Sequence, residues 1–200
     1  MTLWYSNFLR YMRNDLQGMH VRIANGDEIA FTDLYKTYNK QLLAFAVSII
    51  RNKECAEEVV EDVFISVWRN RKTVAEIENM AVYLYVAVKN KCLTLLSQKA
   101  RELVTASFDF IDIQIDEPSN PHSQMVSNEM FSRMRVAVES LPPKCKMVFK
   151  LIREDGLKYK EVAAILNISV STIDKQMAIA VKKICAAMEI ENRKFKASRF

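Results

Sequence analysis

If residues 170–184 are helical, Ser171, Asp174, Lys175, Ala178 and Lys182 share one side, with Thr172 at its edge. The other side then carries Ile173, Met177, Ala180, Val181 and Ile184. Hydroxyls, ammonium groups and one carboxylate in this order suit recognition better than bond-making. Hydroxyls and Lys bond base edges or phosphate, and Asp accepts from a cytosine amine. Catalysis would need a Gly-rich phosphate loop, a Cys/His cluster or a carboxylate pair in a loop, and none stands out. No catalytic residue, metal ligand or cofactor site is therefore assigned.

Such a helix must be presented by something. A helix-turn-helix needs a small residue where its helices cross, a turn residue tolerant of positive φ, and a branched apolar residue that locks the second helix. Ala163, Asn167 and Ile173 occupy these places. Asparagine enters the left-handed region at low cost. Ser169 or Ser171 then caps the second helix. Upstream, Pro142 or Pro143 opens a bracing helix, and Gly156 follows its end. From Arg133 to Lys183 there are eleven Lys and Arg against five acids, a net of +6. This segment therefore holds the chain's net positive charge, and the plain alternative is a small bundle with a solvated basic face.

The whole stretch LPPKCKMVFKLIREDGLKYKEVAAILNISVSTIDKQMAIAVKKI, residues 141 to 184, resembles region 4 of the extracytoplasmic-function (ECF) sigma factors, two-domain bacterial transcription initiation factors. The resemblance implies that Ser171, Thr172, Asp174, Lys175 and Lys182 meet the minus-thirty-five promoter element. It also implies a second module that grips RNA polymerase and opens DNA, which a plain helix-turn-helix regulator lacks.

The first half carries such a module's features. KECAEEVVEDVFISVWRNR, residues 53 to 71, winds Val59, Val60, Val63, Phe64, Val67 and Trp68 onto one face and Glu57, Glu58, Glu61 and Asp62 onto the other. Ile65 falls among the acids. The segment resembles region 2.2 of the family, and the resemblance makes Glu58, Glu61, Asp62 and Ile65 contacts to the polymerase clamp. Glu61 stands where glutamine is usual. NMAVYLYVAVKNKCLTLLSQKAR, residues 79 to 101, mixes aromatic and basic residues suited to unpaired bases and backbone. It resembles regions 2.3 and 2.4, which implies that Tyr83, Lys89, Asn90 and Lys91 approach the minus-ten element and that the loop from Arg71 to Asn79 helps capture a flipped base. Thr94 and Ser97 replace the family's Asp and Arg, with Lys99 and Arg101 as substitute cations.

Bulk properties agree with this reading. Three glycines, four prolines and apolar residues every three to four positions predict an all-α chain of 200 residues, with a formal charge of +5 suited to a phosphate-rich partner. The expected divisions are an N-terminal extension (1–19), a polymerase-binding and minus-ten domain (20–98), a linker (99–127), a helix-turn-helix domain (128–190) and a basic tail (191–200). From Asp109 to Glu129, across the linker and just past it, there are five acids and no Lys or Arg. Cys55, Cys92, Cys145 and Cys185 are widely spaced and read as reduced core thiols. No secretory signal or membrane-length apolar run is visible, so a cytoplasmic location without membrane insertion is expected. Expected partners are core RNA polymerase, promoter DNA and, as the family implies, an anti-sigma factor that is often membrane-bound. The rivals are a helix-turn-helix regulator outside polymerase and a recombinase-like enzyme.

Overall fold

A computed structural model describes the backbone of residues 19–102 and 134–197, and the side chains of 19–98 and 134–187. Residues 1–18, 103–133 and 198–200 lie outside this set, which takes in the linker beyond residue 102 and the start of the 128–190 domain, and so do the Lys99 and Arg101 side chains. Every regular element among the described residues is helical. The chain divides into two compact units, Met1–Asp109 and Phe110–Phe200.

In the first unit a helical stretch at 19–24 leads into α1 (Glu28–Ile50), α2 (Lys53–Arg69), the single turn α3 (Arg71–Val74) and α4 (Met80–Glu102). The sequence sets each start. Asp27 accepts hydrogen bonds from the Ile29 and Ala30 amides at 2.9 and 3.0 Å to cap α1. Those bonds and the Arg22 guanidinium hold its carboxyl below the usual value. Asn52 Oδ1 accepts from Cys55 N at 2.7 Å, and Asn79 Oδ1 from Val82 N at 3.1 Å. Arg51 takes the left-handed conformation (φ 60°) that reverses the chain between α1 and α2.

The three long helices share one core. Leu34, Tyr38, Leu42 and Phe45 of α1 are buried with Val60, Val63, Phe64 and Val67 of α2 and Leu84, Tyr85, Val88 and Cys92 of α4. Aromatic pairs join them. Phe31 meets Trp68 and Tyr35 meets Phe64, both at 4.9 Å between centroids, while Phe45 meets Tyr85 at 5.1 Å. Arg71 lies over the Trp68 ring at 4.9 Å, and its Nη1 donates to the Trp68 carbonyl at 3.1 Å.

The second unit holds a helical stretch at 134–139, then α5 (Pro143–Arg153), α6 (Tyr159–Leu166) and α7 (Val170–Ala197). Pro143 opens α5, where a missing N–H costs nothing. Gly156 (φ 71°) lets the chain leave it. Asn167 is left-handed (φ 55°), its N–H donating to Ala164 O and the Ile168 N–H to Ala163 O at 3.1 Å. This double closure satisfies the last carbonyls of α6 and aims the chain into α7. α4 runs four residues into the stretch read as linker, and α7 seven residues into the stretch read as tail. A continuous i→i−4 ladder, with no Pro or Gly after residue 156 to stop it, carries α7 onward.

Two expectations are corrected. Val181 is 44 % exposed and Ile184 only partly buried; the buried stripe of α7 is Ile173, Met177 and Ala180, and Val181 lies about 80° round the helix from Ile173, at its edge. Among the cysteines only Cys92 and Cys145 are buried; Cys55 is half-buried and Cys185 exposed. Burial pushes the Cys92 thiol up to about 12.

His20 is buried, with a hydrogen bond to the Ile77 backbone and an Nε2 that has no partner among the described residues. Burial lowers its pKa below the ordinary 6.5, so below that pH the unfolded chain binds a proton that the folded one resists. The melting temperature should therefore hold above about pH 6.5 and fall as pH drops below it, and His20→Asn should flatten that fall. At the turn, Asn167→Val should destabilise α6 and α7 by about 1–2 kcal/mol, read as lost amide protection, while Asn167→Gly should be near neutral.

Candidate nucleic-acid interface

Ser169, not Ser171, caps α7. Its Oγ accepts from the Thr172 amide at 3.1 Å and lies 2.8 Å from Thr172 Oγ1. Thr172 is thereby committed to holding the helix start. The Ser171 hydroxyl is left exposed and without a partner among the described residues.

The roll of α7 about its own axis is set by burial. Ile173 and Ala180 are fully buried and Met177 is nearly so, against α5 and α6. At about 100° per residue, Ser171, Lys175, Ala178 and Lys182 then point away from the core, with Asp174 beside them. All five are exposed. A side-chain bond reinforces the setting: the Cys145 thiol of α5 donates to Gln176 Oε1 at 2.8 Å. Burial raises that thiol's pKa despite the nearby Lys183 charge, so it stays a protonated donor. α5 is itself tied down through Lys146, nearly fully buried, whose Nζ donates to Glu139 at 3.0 Å; Lys150 reaches the same carboxylate at 3.4 Å. Burial alone would raise the Glu139 pKa, but the Lys146 hydrogen bond and the two ammonium charges outweigh it and the net shift is downward. The result is a cationic helix face on a rigid three-helix support.

In the first unit, Met80, Leu84, Tyr85, Val88 and Cys92 form the buried stripe of α4. Tyr83 is 39 % exposed and Tyr85 1 %, so the two tyrosines separate into a surface ring and a core ring. Tyr83 and Asn90, seven residues apart, share the solvent face, with Lys89 and Lys91 to either side. On α2, Glu58, Glu61, Asp62 and Ile65 form one exposed stripe, with Ile65 48 % exposed. An apolar side chain so open within a carboxylate stripe suits contact with another surface.

The two surfaces of this unit meet in one contact that residue spacing alone did not show. Lys91 Nζ of α4 lies 2.7 Å from Asp62 Oδ2 of α2. Both groups are substantially exposed, so the pair is worth at most about 1 kcal/mol. Nothing in the local sequence signals it, since the residues are 29 positions apart. The Cys145–Gln176 bond, 31 positions apart, escaped for the same reason. The minus-ten and minus-thirty-five candidates lie in different units, Tyr83 and Asn90 on one exposed face of α4, and Ser171, Lys175 and Lys182 on one exposed face of α7. Among the described residues no group of His, Cys, Asp and Glu is arranged to hold a metal ion, and no helix is long and apolar enough to cross a membrane.

The chain matches the Sigma-70 region 2 family over residues 34–102 and the Sigma-70, region 4 family over residues 131–184. Together the matches span more than half of it. It is 26 % identical to the ECF RNA polymerase sigma-E factor of Escherichia coli over 159 residues, which covers 76 % of this chain and 83 % of that relative. It is 21 % identical to the RNA polymerase sigma-H factor of Pseudomonas aeruginosa, covering 84 % of this chain and 91 % of that one. Among solved structures, the sigma factor RpoE bound to the anti-sigma factor NepR, from Bartonella quintana, shares the fold with a TM-score of 0.58 at 20 % identity, covering 80 % of this chain and 97 % of that one. Two helical units, an exposed lysine-bearing helix face in one, an acidic stripe around an open isoleucine in the other, and both family regions in this order make the chain a member of the sigma-70 family, of the ECF type.

Proposed function

We propose that the protein directs core RNA polymerase to specific promoters and initiates transcription there, contributing recognition while polymerase does the chemistry. The observation that carries this is the pairing of the exposed carboxylate stripe around Ile65 with a helix-turn-helix unit further along the same chain. A regulator that never joins polymerase would leave the first surface unexplained.

In this reading Glu58, Glu61, Asp62 and Ile65 contact polymerase. Tyr83, Lys89, Asn90 and Lys91 engage the opened minus-ten strand, the exposed Tyr83 ring offering a base a stacking surface. Ser171, Asp174, Lys175 and Lys182 meet the minus-thirty-five duplex, with Thr172 holding the helix start they project from. The protein works in the cytoplasm, and an anti-sigma factor holds it inactive by covering these surfaces, as the structurally similar RpoE is found bound to NepR.

The direct test is transcription in vitro with bacterial core polymerase and a promoter library. Start-site selection dependent on the added chain supports the reading, and its absence refutes it. Ile65→Lys should weaken binding to core polymerase roughly tenfold or more, the scale of a central interface residue, while leaving the helical circular dichroism signal intact. For DNA, Lys175→Ala should cost about 1–3 kcal/mol and relax preference at one base position. Lys182→Ala should instead weaken all sequences alike and reduce the salt dependence of binding by about one counterion.

A further inference from the structure

Ile179 stands on the outward side of α7, four residues past Lys175 and three before Lys182, and is 43 % exposed. The other exposed large aliphatics of α7 have a structural reason to be where they are. Val170 begins α7, and Val181 borders the buried stripe. Ile179 has none: Met177 and Ala180 face the core, and the Cys145–Gln176 bond reinforces the roll that turns Ile179 outward. With Ala178, also exposed, it makes a small apolar spot between two ammonium groups.

If α7 lies in a major groove, as the proposed function has it, that spot faces base edges rather than water. Base edges there present donors, acceptors and one apolar group, the thymine C5-methyl. From Lys175 to Ile179 the helix rises about 6 Å, within the roughly 12 Å groove width. A residue at Ile179 therefore reaches a base close to the one Lys175 faces. We propose that Ile179 is a specificity-determining residue that packs on the methyl group of a thymine in the minus-thirty-five element. The isoleucine makes no hydrogen bond, so a base lacking that methyl gives it nothing in return for the water it loses.

This inference rests on the promoter-recognition reading, and one experiment separates the two. With core polymerase bound to the full chain, promoter affinity is measured on duplexes in which each thymine of the selected minus-thirty-five element is replaced singly by deoxyuridine, which removes the methyl and keeps the pairing. One replacement should weaken binding about three- to fivefold, the factor for a single buried methyl. Ile179→Ala should erase that penalty while preserving preference at the other positions, and Ile179→Val should retain part of it. The proposal is overturned if no replacement matters, if Ile179→Ala keeps the penalty, or if the selected element contains no thymine. Each of these results leaves promoter recognition standing, whereas loss of all promoter selection removes both.

Discussion

The left-handed backbone at Asn167 is the constraint on which the second unit depends. A residue there at positive φ ends α6, satisfies its last carbonyls and sends the chain off at a steep angle, so that Ile173 can drop into the pocket between α5 and α6. Once Ile173 is buried, the roll of α7 follows, because Met177 and Ala180 complete the same stripe. Everything on the opposite side is then exposed by geometry, whatever its polarity. The serines, lysines and the isoleucine of that side are consequences of one turn.

The first unit solves a different problem. It must keep two unlike surfaces open, one acidic and one aromatic with flanking cations, on helices of about two dozen residues or fewer. It does so with a core that is unusually aromatic where α1 meets α2 and α4. The rings of Phe31, Tyr35, Phe45, Phe64, Trp68 and Tyr85 meet in pairs between helices. Such rings bury large area with few rotatable bonds, so the helices can spend their remaining positions on solvent-facing chemistry. The turn after α2 is fastened by Arg71 across Trp68, which makes a basic residue near the proposed minus-ten surface part of the packing.

Most of the architecture was legible from residue spacing. Helical periodicity, scarce glycine and proline, and the Ala163–Asn167–Ile173 signature lead to two all-helical units and to the turn as observed. The separation of Tyr83 from Tyr85 was not legible, because in so apolar a run either side of the helix could have faced α1 and α2. Ser169 and Ser171 were equivalent as caps until the start of α7 was placed. Val181 was assigned to the core because its spacing roughly fits, and it is exposed because it lies at the edge of the narrow stripe that Ile173, Met177 and Ala180 define. Contacts between residues far apart in sequence, such as Cys145 with Gln176, carry no local signature at all.

The 2.7 Å contact between Asp62 and Lys91 makes the two faces of the first unit electrically dependent on each other. A cationic group that draws the carboxylate away frees an ammonium group on α4, so a contact on one side raises the positive potential on the other. Because both groups are open to solvent, the effect stays near the thermal scale and fades with added salt. In the proposed reading, contacts made on one face of this unit are therefore weakly coupled to contacts made on the other, with a sign that favours their occurring together.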